Sequence, residues 1–239
     1  MSGHTQPEPG WRDVLGGPGM KKIVIALCAA MLLATSAQAA DAVQTADAAQ
    51  TAVARARTAA AATRYVFPIA PVRHARFGHV HHDYPATDIF ARCGDVYRAP
   101  AGGRIAFISY RDTYNARTDD PALRGGISIA VVGDDGVQYY GSHLRRIARG
   151  WRVGMPVAAR QTLGFVGDTG NAKGLGCHVH FGISPGVCAA PGAWWIRRGV
   201  LYPWPYLEGW RGGRTPSPRA TVGAWYARNG CPAQPSGGY

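Results

Sequence analysis

The chain has 239 residues, with 26 Lys+Arg against 14 Asp+Glu and a formal charge of +12. That length allows one domain with a full core plus appendages, and leaves little room for a second domain of ordinary size. In the cytoplasm so basic a chain would suggest nucleic acid, but its N-terminal region points elsewhere.

Lys21-Lys22, the apolar run Ile23 to Leu33 and Ala37-Gln38-Ala39 read as a secretory signal with cleavage after Ala39 and Met20 as its start. The run is too short to span a bilayer. Cys28 follows Leu27, where a lipidation site would want a small residue. Cleavage takes three cations and two anions with it, so the mature chain keeps about +11, nearly all arginine, with Lys173 its only lysine. Outside the membrane the expected anionic partners are wall polymers, lipid head groups or acidic peptides, not nucleic acid. Residues 40–64 are Ala/Thr/Gln-rich and read as a disordered linker.

Export leaves Cys93, Cys177, Cys188 and Cys231, an even number in an oxidising compartment, hence two disulfides with three possible pairings. Cys188–Cys231 is favoured because it ties the tail to the end of the core. Cys93–Cys177 follows by default, with thiolate ligation by Cys177 as the alternative.

From Tyr65 the texture changes. Tyr65 to Pro68 looks like an entry strand. Strand-like runs then recur at 86–90, 104–110, 127–132, 137–140, 162–166 and 179–183, punctuated by Gly102-Gly103, Gly125-Gly126, Asp134-Asp135-Gly136 and Gly167-Asp168-Thr169-Gly170. Asp-Gly between alternating runs predicts a hairpin. No amphipathic helix precedes residue 190, so the fold class is all-β, mainly antiparallel, a sandwich or open barrel with a groove. Residues 111–124 form a long polar loop of the kind that lines sites. After Cys188 come Trp194, Trp195, Tyr202, Trp204, Tyr206 and Trp210, expected to pack the tail onto the domain, with sugar stacking as the alternative. Ser217-Pro218 then predicts the start of a short helix running through Arg228. The resulting divisions are 1–39, 40–64, a domain at 65–186 and an extension at 187–239.

The chemistry centres on Cys177-His178-Val179-His180-Phe181. Two histidines one residue apart on a strand share a face. His82 and Asp88 are an even number of residues apart, and His143 follows Tyr140-Gly141-Ser142. A catalytic zinc site wants three protein ligands and one open position. His82, Asp88 and one member of the His178/His180 pair supply three. The only glutamates are Glu8 and Glu208, so proton transfer falls to His143 and the other member of the pair. Asp83 either orients an imidazole or caps a turn. His74 and His79 have no role that spacing can assign.

Over residues 66–184 the chain resembles the LytM/lysostaphin-type zinc endopeptidases, which cut peptide cross-links in peptidoglycan. The resemblance rests on Arg98-Ala99-Pro100-Ala101-Gly102-Gly103, on Tyr140-Gly141-Ser142-His143-Leu144, and on Gly164 to Asn171 running into His178-Val179-His180-Phe181. It implies His82, Asp88 and His180 as zinc ligands, His143 and His178 as catalytic, and peptidoglycan stem peptides as substrate. With it go peripheral contact with an anionic wall, action as a monomer, and location in the periplasm or outside the cell. Asn171 and Tyr114 are candidate substrate contacts. A non-catalytic relative that binds wall or regulates another hydrolase is the rival, and a protein substrate a further variant. Two departures stand out. The family's histidine-to-aspartate spacing of four would land on Tyr84, so residues are inserted around Pro85 and the first ligand is His82 or, if a turn resets the parity, His81 or His79. Arg160 also stands where the family usually has glycine.

Overall fold

The structure, a computed structural model, describes residues 65–234. The signal segment and the linker expected at 40–64 lie outside the described residues. Among the described residues ten strands form two antiparallel sheets. In chain order they are β1 (Ile69–Ala70), β2 (Thr87–Phe90), β3 (Val96–Arg98), β4 (Gly103–Ser109), β5 (Ser128–Gly133), β6 (Val137–Ser142), β7 (Leu144–Ile147), β8 (Pro156–Val157), β9 (Thr162–Val166) and β10 (His178–Pro185). The larger sheet runs β2-β10-β6-β5-β4-β8 and the smaller β1-β3-β9-β7, with no closed barrel.

The expected all-β class holds, and among the described residues the α-helices follow residue 190: α1 (Trp194–Arg197), α2 (Trp204–Arg211) and α3 (Arg219–Asn229). None of the described helices is long and apolar enough to cross a membrane. The Asp134-Asp135-Gly136 turn joins β5 to β6 with Gly136 at φ 78°, the left-handed conformation that a tight hairpin demands. Asp135 fixes that turn by accepting from the Val137 N–H, and its other oxygen accepts from the Tyr65 and Tyr139 hydroxyls. The entry segment departs from expectation: ladder pairing begins at Ile69, while Tyr65 and Phe67 bury their side chains, the Val66 N–H donates to the Pro100 carbonyl and the Pro68 carbonyl accepts from the Arg98 N–H at the end of β3.

β10 lies between β2 and β6 and is buried along all eight residues. Val179, Phe181 and Ile183 join the core with Ile89, Tyr139 and Leu144. The intervening side chains, His178 and His180, face the opposite way. Trp210 of α2, only 4% exposed, stacks on Tyr65 with ring centroids 5.3 Å apart and meets Tyr139 and Phe181 edge-on. Both expected disulfides are present: Cys93–Cys177 joins the turn before β3 to the residue before His178, and Cys188–Cys231 closes the tail.

Candidate metal centre

Strand register explains most of the site. In the β2–β10 pair His180 stands opposite Asp88, and in the β10–β6 pair it stands opposite Ser142. Directly opposed residues of antiparallel strands are nearest neighbours, and His180 Nδ1 lies 3.0 Å from Asp88 Oδ1. His143 occupies the single residue between β6 and β7, where the chain leaves the larger sheet for the smaller. Its φ is 62°, a left-handed conformation uncommon outside glycine and often found at functional sites. That kink turns the ring toward His178, 4.9 Å away between centroids, and His180, 6.1 Å away.

Of the candidates for the first ligand left by the sequence, His82, His81 and His79, the geometry brings His81 to the other two expected ligands. His82 is exposed at the edge of the pocket, and His81 takes the place beside Asp88 and His180. The even-spacing argument assumed a strand, but residues 82–85 form a bend and β2 begins only at Thr87. Within that bend His81 Nδ1 donates to the Tyr84 carbonyl at 3.0 Å, which aims Nε2 at Asp88 Oδ1, 3.7 Å away.

One ligand atom from each of His81, Asp88 and His180 lies within 4.8 Å of the others. Four-coordinate zinc with bonds of about 2.0–2.2 Å separates its ligand atoms by about 3.3 Å. The distances of 3.0 and 3.7 Å straddle that value, and the residues fit the ion. The outer contacts fit as well. A carbonyl only accepts, so each ring nitrogen bonded to one must carry the proton. His81 Nδ1 is bonded to Tyr84 O, His180 Nε2 to Arg198 O at 3.0 Å, His143 Nδ1 to Thr169 O at 2.8 Å and His178 Nδ1 to Gly176 O at 2.8 Å. Each ring is thereby fixed in orientation, with its other nitrogen clear of the carbonyl and, for His180, Nδ1 facing Asp88.

The electrostatics agree. Burial first, and then the His180 ring, push His81 down to about 4, against the pull of Asp88. Burial, helped by His180 and His178, pushes His143 down to about 3. Both are neutral at neutral pH, the form of an imidazole that can hold a metal or accept a proton. Burial alone would raise the Asp88 carboxyl, but the His180 hydrogen bond and the neighbouring imidazoles outweigh it and hold Asp88 well below the usual carboxylate range.

Of the expected substrate contacts, Asn171 lies on the pocket wall. Tyr114 does not; its hydroxyl donates to Asp119 within the 111–126 loop. That loop reaches the site at Arg124 and Gly125, and Asp112 holds it there by accepting from the Gly170 N–H. His74 pairs with Asp95, and His79 with Glu208 and the face of Trp204, both away from the centre. Thr169 and Arg198 escaped the sequence reading. Thr169 sits in a glycine-flanked turn that reads as loop, and Arg198 lies in the tail among many arginines.

The model of Peptidase family M23 matches residues 82–189. No curated protein matches the chain. Among solved structures, the catalytic domain of lysostaphin from Staphylococcus simulans is 21% identical, with a TM-score of 0.43 over 57% of this chain and 95% of that one. Lysostaphin itself is 19% identical, with a TM-score of 0.45 over 65% and 58%. Csd3 from Helicobacter pylori is 18% identical, with a TM-score of 0.40 over 69% and 38%.

Proposed function

Taking as premise that residues 82–189 belong to peptidase family M23, we propose that the chain is an exported zinc endopeptidase that hydrolyses peptide cross-links of bacterial peptidoglycan. The observation that carries this reading is the convergence of His81, Asp88 and His180 within 4.8 Å, with the neutral imidazole of His143 and the ring of His178 on the same pocket. A zinc ion held by those three would polarise the scissile carbonyl and bring the pKa of a water down to about 7.

The remaining work falls to this chain's own groups. His143 and His178 keep their Nδ1 protons on Thr169 and Gly176, so Nε2 of each begins as a proton acceptor. The ring that takes the proton becomes a cation able to donate to the oxyanion or to the leaving amine. Proximity of the two rings lets either serve. The basic surface would hold the enzyme to an anionic wall.

Purified mature protein is expected to bind about one zinc and to release soluble peptides from cell walls, with mass analysis of the fragments showing which bond is cut. A His180→Ala variant should lose both properties. Wall digestion by that variant at the parental rate would overturn the ligand assignment.

A further inference from the structure

Arg198 lies beyond the family-matched segment, yet it enters the site twice. Its carbonyl takes the His180 Nε2 proton. That approach needs Gly182, since a Cβ there would stand 2.0 Å from the same oxygen. Arg198 lines the same pocket as His81, His143 and His178, and its side chain reaches past Tyr84, which also lines it. The residue is only 7% exposed. The guanidinium stands 4.8 Å from the Trp194 ring centroid and 6.0 Å from that of Tyr84. Nη2 donates to the Pro121 carbonyl.

Among the described residues no carboxylate lies within 4 Å of Arg198. Asp119, whose carboxylate feels the Arg198 charge, is itself held by a two-pronged pairing with Arg124 and by the Tyr114 hydroxyl. A nearly buried cation without a directly paired carboxylate is costly, and such charges are normally paired. A guanidinium stacked on an aromatic ring keeps its edge donors in a fork that matches a planar carboxylate. One contact to Pro121 leaves most of its five donors for another partner.

We propose that the Arg198 guanidinium binds a carboxylate of the substrate beside the metal centre. This rests on the peptide-hydrolase reading above, since a peptide supplies carboxylates at its C-terminus and on acidic side chains. The tail is then part of the substrate site and not merely a cover for the sheet. A purely structural role, tethering the 111–126 loop through Pro121, is separated from it by the following test.

Three matched cross-linked peptides are compared on the full mature chain: one with all carboxyl groups free, one with the C-terminal carboxyl amidated, and one with the side-chain carboxyl amidated. Binding is read by calorimetry on metal-free protein and kcat/KM on the zinc-loaded enzyme. One of the two amidations is expected to weaken both binding and kcat/KM by at least about tenfold, the scale of a charge-assisted contact, and it identifies which carboxylate is held. In Arg198→Gln that ratio collapses to near one, and in Arg198→Lys it falls in between. Equal binding of the three peptides by the parent protein, or a ratio unchanged in Arg198→Gln, overturns the proposal. Cleavage of all three at equal rates would do the same while leaving the hydrolase reading standing. Selective binding without any cleavage would overturn the hydrolase reading and keep the carboxylate site. The parent comparison needs no variant to fold.

Discussion

Thr169 holds His143 at both ends: its carbonyl accepts the His143 Nδ1 proton at 2.8 Å, and its hydroxyl donates to the Leu144 carbonyl at 2.8 Å while accepting from the Ile127 N–H at 3.0 Å. The ring and the backbone kink that carries it are thus tied to one residue of the 167–170 turn. Thr169→Val keeps the carbonyl and removes the hydroxyl, leaving the Ile127 N–H without its partner. A loss of about 1–3 kcal/mol in stability is expected, together with a fall in kcat larger than the fall in folded fraction. Denaturant melts and kinetics on the same sample check both, and an unaltered kcat would show that the hydroxyl does not position His143.

His81 and His82 offer a direct contrast. His81→Ala removes a nitrogen facing Asp88 and should weaken zinc binding by more than about a hundredfold, beyond what loss of an outer-shell partner costs. His82→Ala removes an exposed ring and should leave zinc content near the parental value. Metal analysis after dialysis against a competing chelator decides between them; the reverse pattern would restore His82 as the ligand.

The depressed imidazoles set an acid limit on the metal-free protein. In the unfolded chain histidine titrates near 6.5, whereas in the fold His81 and His143 titrate at about 4 and about 3. Between these values the unfolded state holds more protons, so stability falls as pH falls. The contribution is fully present above pH 6.5 and is lost through the window down to about 3. Melting temperatures of chelator-treated protein should therefore drop from pH 7.5 to 4.5. The slope should be shallower in His143→Asn, which lacks one of the two groups, and a flat profile would contradict the shifts.

Arg160 adopts φ 73° in an exposed turn, where the resembling family usually has glycine. Left-handed backbone costs a residue with a Cβ about 1 kcal/mol. Arg160→Gly should therefore stabilise the fold by about 0.5–1 kcal/mol, less the greater freedom glycine has when unfolded. A urea midpoint that rises at unchanged m-value would show it; a lower midpoint would mean that the arginine side chain contributes more than the strain removes.

Much of this architecture was legible because local chemistry and global fold agree. Thr162 to Val166 reads as a strand and is one, the Asp135-Gly136 turn makes its hairpin, and alternation in β10 puts both histidines on one face. Other parts were hidden for identifiable reasons. Leu144 to Ile147 carries Arg145 and Arg146 at its centre and looks like surface, yet it is a strand, with the Arg146 guanidinium 3.7 Å from the Phe165 ring centroid. His81 was ranked behind His82 because parity counting fails once a bend interrupts the strand. Arg198 was out of reach because its role depends on a tail folding back across Gly182, a contact between residues with no local signal joining them.

The peptide carbonyls that clamp the four imidazoles belong to Tyr84, Thr169, Gly176 and Arg198 and are supplied by the fold itself. On the proposed reading an arriving ion would meet a finished socket, unlike a zinc finger, whose ligands assemble only around the metal. Loading would then be governed by encounter and by shedding of the ion's hydration water, with no chain rearrangement to wait for.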